Sequence, residues 1–158
     1  MKLDFGNATL SGLPTNLLNR LQSVLNAAAR SIVGLRRSGH VTDTLASFHW
    51  LRAPERINVK LAVLVYRALH GTAPRYLPDF LRRVAGLPSR RRLRSATSSQ
   101  LDVRPSRLIT AGDRSFAFVG PKLWNSLPDD ITSVSSLSVF RKKLKTHLFR
   151  LSYPDVIL

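Results

Sequence analysis

The side chains best suited to chemistry in this sequence are arginines that lie close together in its middle third. No acidic residue stands between Asp79 and Asp102, so no neighbour along the chain neutralises them. Arginine presents a planar fork of N–H donors that matches phosphate oxygens, which predicts contacts with a nucleic-acid backbone. The pattern also suits a solvated loop or a nuclear localisation signal. The cluster comprises Arg82, Arg83, Arg90, Arg91, Arg92 and Arg94.

A second basic cluster lies near the C-terminus, on a segment with the apolar spacing of a helix. Its cations are Arg141, Lys142, Lys143 and Lys145, and they surround a stripe of leucine and phenylalanine. We expect them to contact nucleic acid as well. Binding to an anionic membrane surface is the weaker alternative, because the apolar stripe is needed to complete a small core.

The whole chain is basic. Its 158 residues include 25 Lys or Arg and nine Asp or Glu, which gives a formal net charge of +16. Like charges repel one another in a compact fold, so this excess of positive charge does not stabilise the fold. It does attract polyanions such as nucleic acids. The charge therefore predicts an RNA or DNA partner, and the alternative is a basic surface that serves only solubility.

Groups for catalysis or metal binding are sparse. A polymerase site needs carboxylates that hold two metal ions, and the adjacent pair Asp129 and Asp130 stands in a Leu-Pro-Asp-Asp turn that capping explains better. The four histidines lack metal-ligand spacing, and without cysteine there is no zinc knuckle or thiol nucleophile. We therefore expect no catalytic activity, cofactor, metal or small-molecule substrate.

The two tryptophans, Trp50 and Trp124, stand beside turn residues and cations. An aromatic ring in such a place can stack on unpaired bases. A tryptophan next to Leu and Pro more often anchors a core, and this is the favoured interpretation for both.

The elements that must position these residues are mainly helical. Pro14 suits the start of an amphipathic helix, whose apolar positions run from 17 to 32 and which Gly34 ends as a left-handed cap. A short helix is predicted at 43–49, with Thr42 as its N-cap. The strongest helix spans 55–70 and is apolar on nearly every side, which predicts that it is the buried centre of the domain.

The second half of the chain is more irregular. It predicts a short helix at 78–83, an Arg/Ser/Pro-rich loop at 85–113, an extended segment at 114–119, a break at Gly120-Pro121 and a brief helix at 122–127. A basic amphipathic helix is expected at 136–151, with Leu137, Phe140, Leu144, Leu148 and Leu151 on its apolar face. The predicted architecture is a small irregular domain of four to six helices, divided into a helical core (1–84), the basic loop (85–113) and a C-terminal part (114–158) that together form one domain.

Several short blocks also resemble a known family, in one order along nearly the whole chain. They lie at 3–5, 12–14, 20–30 (RLQSVLNAAAR), 49–51, 66–77 (YRALHGTAPRYL), 93–95, 112–116, 120–128 (GPKLWNSLP) and 140–149 (FRKKLKTHLF). These blocks resemble the region downstream of the palm in LINE-type, jockey-like non-LTR retrotransposon reverse transcriptases. The chain departs from that pattern at Gly6, where the family commonly has Cys, and at Arg52, where it commonly has Pro.

The resemblance implies a parent polyprotein with an endonuclease and an RNA-directed DNA polymerase. The family's metal-binding Tyr-x-Asp-Asp strand lies upstream of the matched region, so no catalytic residue carries over. What it implies is a noncatalytic, thumb-side fragment, from a truncated copy, that contacts template RNA or primer–template. The alternative is an inactive remnant or interaction domain whose helices dock on a missing polymerase palm.

Two further features bear on location. The N-terminal residues lack the apolar core of a signal peptide. The longest apolar stretch, at 61–66, is too short to span a bilayer. We therefore expect an intracellular, nuclear protein without a membrane partner.

Overall fold

The computed structural model of this protein describes residues 10–86, 99–103 and 115–155. These ranges contain six α-helices and no β-strand, which confirms the predicted mainly helical fold. The helices are α1 (Thr15–Val33), α2 (Thr42–Ser47), α3 (Ala53–Leu69), α4 (Phe116–Ser126), α5 (Asp129–Thr132) and α6 (Leu137–Ser152).

The first two helices begin and end close to the predicted positions. Pro14 precedes α1, and Gly34 ends it with a left-handed φ of 68°, donating its backbone N–H to the Arg30 carbonyl. The prediction that Thr42 caps α2 is wrong, because Thr42 is already helical and Val41 occupies the cap position. Sequence signals thus locate helix ends to within about a residue or two.

Helix α3 is the centre of the fold, as its sequence predicts. It packs against α1, α4 and α6, and Leu61 and Val65 are almost completely buried. Burying a side chain of that size stabilises a fold by roughly 1.5–3 kcal/mol. A helix surrounded on several sides requires apolar residues around most of its circumference, and α3 has them.

Helix α6 completes the core with Phe140, Leu144 and Leu148, but the prediction that Leu151 joins them is wrong, since Leu151 is 61% exposed. In the last turn the packing partner becomes the connection between α2 and α3, where Phe149 stacks on His49. A position two residues beyond Phe149 lies about 200° around the helix. Leu151 therefore points away from this partner.

Helix α4 overturns two predictions for the second half of the chain. The expected extended segment at 114–119 is helical from Phe116, and the expected break at Gly120-Pro121 lies inside the helix. The missing N–H of Pro121 removes one helical hydrogen bond, while burial of Pro121 and Trp124 favours the continuous helix. A Cβ on Gly120 would lie 3.1 Å from Val65 Cγ2, so glycine permits the close packing of α4 on α3.

The predicted helix at 78–83 is also wrong. Pro78–Phe80 and Val84–Gly86 form 3-10 turns, and between them the backbone is extended. There it pairs with residues 100–102: the Asp102 N–H donates to the Arg82 carbonyl at 2.7 Å, and the Val84 N–H donates to the Gln100 carbonyl at 3.0 Å.

Leu101, at the middle of this pairing, lies within the predicted loop yet is only 1% exposed. Its backbone N–H and C=O are both bonded, at 2.8 Å each, by the side-chain amide of Asn125 on α4. None of the helices within the described ranges is long and apolar enough to cross a membrane.

Candidate nucleic-acid interface

The arginine cluster of the middle third is described only in part. The side chains of Arg82 and Arg83 are exposed, on the extended backbone that pairs with 100–102. The Asp102 N–H donates to the Arg82 carbonyl, so the fold places an acidic residue opposite this end of the cluster. The other members, Arg90, Arg91, Arg92 and Arg94, lie outside the described residues, and their phosphate contacts stay a prediction.

The cations of α6 are all exposed, and α6 contains no acidic residue. They do not form one surface. Arg141 and Lys145 line a groove between α3 and α6, whereas Lys142 and Lys143 line a second groove beside α5. The helical repeat separates them, because positions four apart share a face and adjacent positions do not.

The first of these grooves has a volume of about 570 Å³. Its polar lining consists of His49 and of cations from two helices, Arg56 and Lys60 from α3 and Arg141 and Lys145 from α6. Its aromatic lining comes from the connection between α2 and α3. We call it the α3–α6 groove and define it by Phe48, Trp50, Arg56, Lys60, Arg141 and Lys145.

The second groove, of about 490 Å³, is the α5–α6 groove, defined by Asp130, Lys142, Lys143, His147 and Arg150. The Lys143 ammonium donates to the Asp130 backbone carbonyl at 2.9 Å and lies 3.8 Å from its carboxylate. Both side chains are largely exposed, and such a pair contributes only about 0–1 kcal/mol. Lys143 is therefore partly engaged within the protein.

Sequence reasoning did not identify Arg56 and Lys60 as site residues, because α3 was interpreted as a buried helix. The available signal is their spacing, because two cations four residues apart lie on the same face of a helix and indicate a solvated strip on a largely apolar one. The two tryptophans also lie in different environments. Trp124 is buried in the core and stacks on Phe140, whereas Trp50 is only partly buried and lines the α3–α6 groove.

The backbone around Trp50 is tightly fixed. The Trp50 N–H donates to the Leu45 carbonyl and the His49 N–H to the Ala46 carbonyl, each at 2.9 Å. This is the Schellman pattern that ends many helices, and its αL position normally holds glycine. Here it holds His49, with φ 53°, a conformation that costs a non-glycine residue roughly 1–2 kcal/mol.

Tyr153, which follows α6, fixes the same segment from the other side. Its phenol donates to the Trp50 carbonyl at 2.7 Å. Burial raises the pKa of this phenol, and the neighbouring Arg52 partly opposes that rise. The neutral phenol is therefore favoured, and it can donate this hydrogen bond through the physiological range.

The acidic pair Asp129 and Asp130 is exposed in the first turn of α5, where negative charge is favoured at a helix N-terminus. Within residues 10–86, 99–103 and 115–155, no group of three or more His, Asp or Glu side chains is arranged to hold a metal ion. No family model, curated protein or solved structure matches the chain.

Proposed function

We propose that this protein is a noncatalytic nucleic-acid-binding module that holds its partner by the phosphate backbone. The observation that supports this most directly is that four of the five cations of α6, Arg141, Lys142, Lys143 and Lys145, are exposed on a helix without an acidic residue. These cations have no partner for their charge within the helix, and a polyanion supplies one.

The proposal includes an origin and a mode of contact. On the resemblance given above, the chain corresponds to the thumb-side, C-terminal part of a LINE-type reverse transcriptase, where it would contact template RNA or primer–template. Contacts to phosphates carry no base information. We therefore expect similar affinity for unrelated sequences.

The test is the salt dependence of binding to single-stranded RNA, duplex DNA and an RNA–DNA hybrid, measured in parallel. For single strands, log K should fall by roughly 0.7 per contacted phosphate for each decade of salt. Glutamine at Arg141, Lys142, Lys143 and Lys145 together should lower that slope by about 2 if three of them contact phosphates.

The matched control removes the same number of cations from exposed positions that line neither groove, namely Arg20, Arg36, Arg37 and Arg75. If both variants lose the same slope, only net charge matters, and α6 is not the interface. Alanine at Arg90, Arg91 and Arg92 should likewise lower the slope by about two units. An unchanged slope in that variant would mean that this segment is merely solvated.

The absence of catalysis is tested separately. We expect no primer extension on any template in Mg²⁺ or Mn²⁺, because two-metal chemistry needs a set of carboxylates. Extension by purified protein that disappears in an Asp129→Asn, Asp130→Asn variant would contradict the proposal.

A second candidate function, an interaction domain that docks on a polymerase palm, is favoured by α1. This helix buries only Leu25 and Ala29. It leaves Val24 and Ile32, about two turns apart, 51% and 62% exposed. An apolar strip of this kind on a monomer often marks a docking surface.

Glutamine at Val24 and Ile32 tests this alternative. An unpartnered strip should bind an apolar dye such as ANS and promote self-association at high concentration, and the variant should do both less while retaining its affinity for nucleic acid. Identical dye binding and light scattering in the two proteins would remove the support for docking through α1.

A further inference from the structure

The α3–α6 groove combines two kinds of side chain that suit different parts of a nucleotide. Its rings can stack on a base, and its cations can contact phosphates. We propose that this groove binds unpaired nucleotides of a single strand, with a base against Trp50 and phosphates at Lys60, Arg141 and Lys145. The inference rests on the proposed function and adds the binding site and the form of nucleic acid that it prefers.

Trp50 is already positioned for stacking. Its backbone N–H and C=O are bonded to the Leu45 carbonyl and the Tyr153 phenol. Its ring lies 5.6 Å from the ring of Phe48 at an angle of 50°, and the Arg56 guanidinium lies 5.5 Å from its centroid. A ring that is fixed before binding loses little conformational freedom when a base stacks on it.

The strained turn at His49 lies between the two rings. Left-handed backbone at a residue other than glycine persists only where surrounding contacts hold it, and such strain is concentrated at functional sites. Here the ring of His49 is held by stacking on Phe149 at 5.7 Å. The turn brings Phe48 and Trp50 to the same groove.

Among the cations of the groove, Arg141 and Lys145 stand four residues apart on α6, a spacing at which like charges repel. Lys60 adds a further exposed positive charge from α3. None of the described residues that line the groove is acidic. An anionic ligand relieves this repulsion, and Lys60, Arg141 and Lys145 are exposed to receive one.

The pairing of rings with cations selects a single strand over a duplex. A duplex presents phosphates, but its base faces are stacked on each other, whereas an unpaired strand exposes both. The volume of about 570 Å³ lies within the range of small-ligand sites, roughly 300–1,000 Å³. The α5–α6 groove makes a useful comparison, because its described lining includes Asp130 and no Phe, Tyr or Trp ring.

Intrinsic fluorescence tests the inference directly, because the chain has two tryptophans and Trp124 is buried in the core. The probes are a single-stranded RNA oligonucleotide, an abasic phosphodiester strand of the same length and charge, and an RNA duplex. We expect the base-bearing strand to quench the emission and to bind about tenfold tighter than the abasic strand. The duplex should cause little quenching.

Two variants separate stacking from charge. Trp50→Leu should bind the base-bearing strand about tenfold more weakly and leave affinity for the abasic strand unchanged. Because Trp50 also contacts the core, a second variant, Lys60→Gln with Lys145→Gln, leaves the rings intact and should reduce both affinity and quenching. Its control, Arg36→Gln with Arg37→Gln, removes equal charge at exposed positions that line neither groove and should retain the quenching.

The outcomes distinguish the two proposals. Equal affinity for base-bearing and abasic strands, without quenching, would overturn the groove and leave backbone binding intact. Failure of every strand to bind at low salt would overturn both. A fluorescence change with anionic phosphatidylserine vesicles, but with no strand, would assign the groove to a membrane surface and overturn both as well.

Discussion

Replacing Asn125 with alanine should detach the segment that contains Leu101 from the helical core. In the wild type the Asn125 amide donates to the Leu101 carbonyl and accepts from its N–H, each at 2.8 Å. Alanine makes neither bond. Asn125 is itself exposed, so water can reach the Leu101 N–H and C=O once the amide is removed, and the expected cost is that of the two bonds alone.

The expected loss follows from these two bonds. A hydrogen bond contributes about 1 kcal/mol net, so Asn125→Ala should lower the free energy of unfolding by about 2 kcal/mol. A domain of this size loses roughly 2–4 °C in Tm for each kcal/mol. We expect a decrease of about 4–8 °C in a thermal melt followed by circular dichroism.

Asn125→Asp provides a sharper version of the test. An ionised carboxylate can still accept a hydrogen bond from the Leu101 N–H, but its other oxygen is repelled by the Leu101 carbonyl oxygen. A protonated carboxyl can instead donate a hydrogen bond to that carbonyl. The folded variant therefore favours the protonated form and raises the pKa of the introduced carboxyl above its unfolded value of about 3.9. Stability relative to wild type should be largest below that value and fall as the pH rises through the folded pKa.

Asn19→Ala, an exposed change on α1, is the control and should leave the Tm nearly unchanged. Hydrogen exchange gives an independent measurement, since the Leu101 amide should be protected in the wild type and exchange faster in Asn125→Ala. An Asn125→Ala protein that melts with the wild type and keeps this amide protected would refute the reasoning.

Three further changes test other parts of the fold. Phe140 is completely buried between Tyr66 and Trp124, so Phe140→Ala should lower the free energy of unfolding by about 3–5 kcal/mol. Phe80→Ala, at a position 47% exposed, should lower it by under about 1 kcal/mol. Urea unfolding measures both. The pKa of Tyr153 is raised by burial, so its contribution to stability is complete below its unfolded pKa of about 10 and is lost as the pH rises through the folded pKa. Tyr153→Phe should therefore flatten the profile of stability against pH in that alkaline range. Gly34→Ala should destabilise the fold by about 1–2 kcal/mol because of its left-handed φ, and Gly34→Asn should cost less because asparagine adopts this conformation more readily. No described atom lies within 4 Å of an added Cβ, so a thermal melt of these variants measures the backbone effect alone.

Much of the helical framework is predictable because its signals are local. Pro14 and Gly34 mark the ends of α1, and the continuous apolar surface of α3 predicts its burial. Each signal depends on residues within a few turns of one another, so it can be detected before any tertiary contact is known. The basic face of α6 is predictable for the same reason.

Local signals fail where tertiary packing outweighs them. Gly120 and Pro121 indicate a break, yet both lie within α4, because the missing side chain of glycine permits close contact with Val65 on α3. Leu151 continues the apolar stripe of α6 but is exposed, because the last turn packs against a different neighbour through Phe149. In both cases the deciding contact is with a residue far away in the sequence.

The features of the candidate site can also be divided into those that local sequence sets and those that tertiary contacts set. The sequence by itself determined the positive charge, the amphipathic character of α6 and the presence of cations at Arg141 and Lys145, since these depend on composition and on a periodicity of about 3.6 residues. Only the tertiary structure decided that these cations share a groove with Trp50 and Lys60. The packing of α6 on α3 and the Tyr153 hydrogen bond to Trp50 join segments that no local spacing relates, and such contacts arise from burial of the whole core.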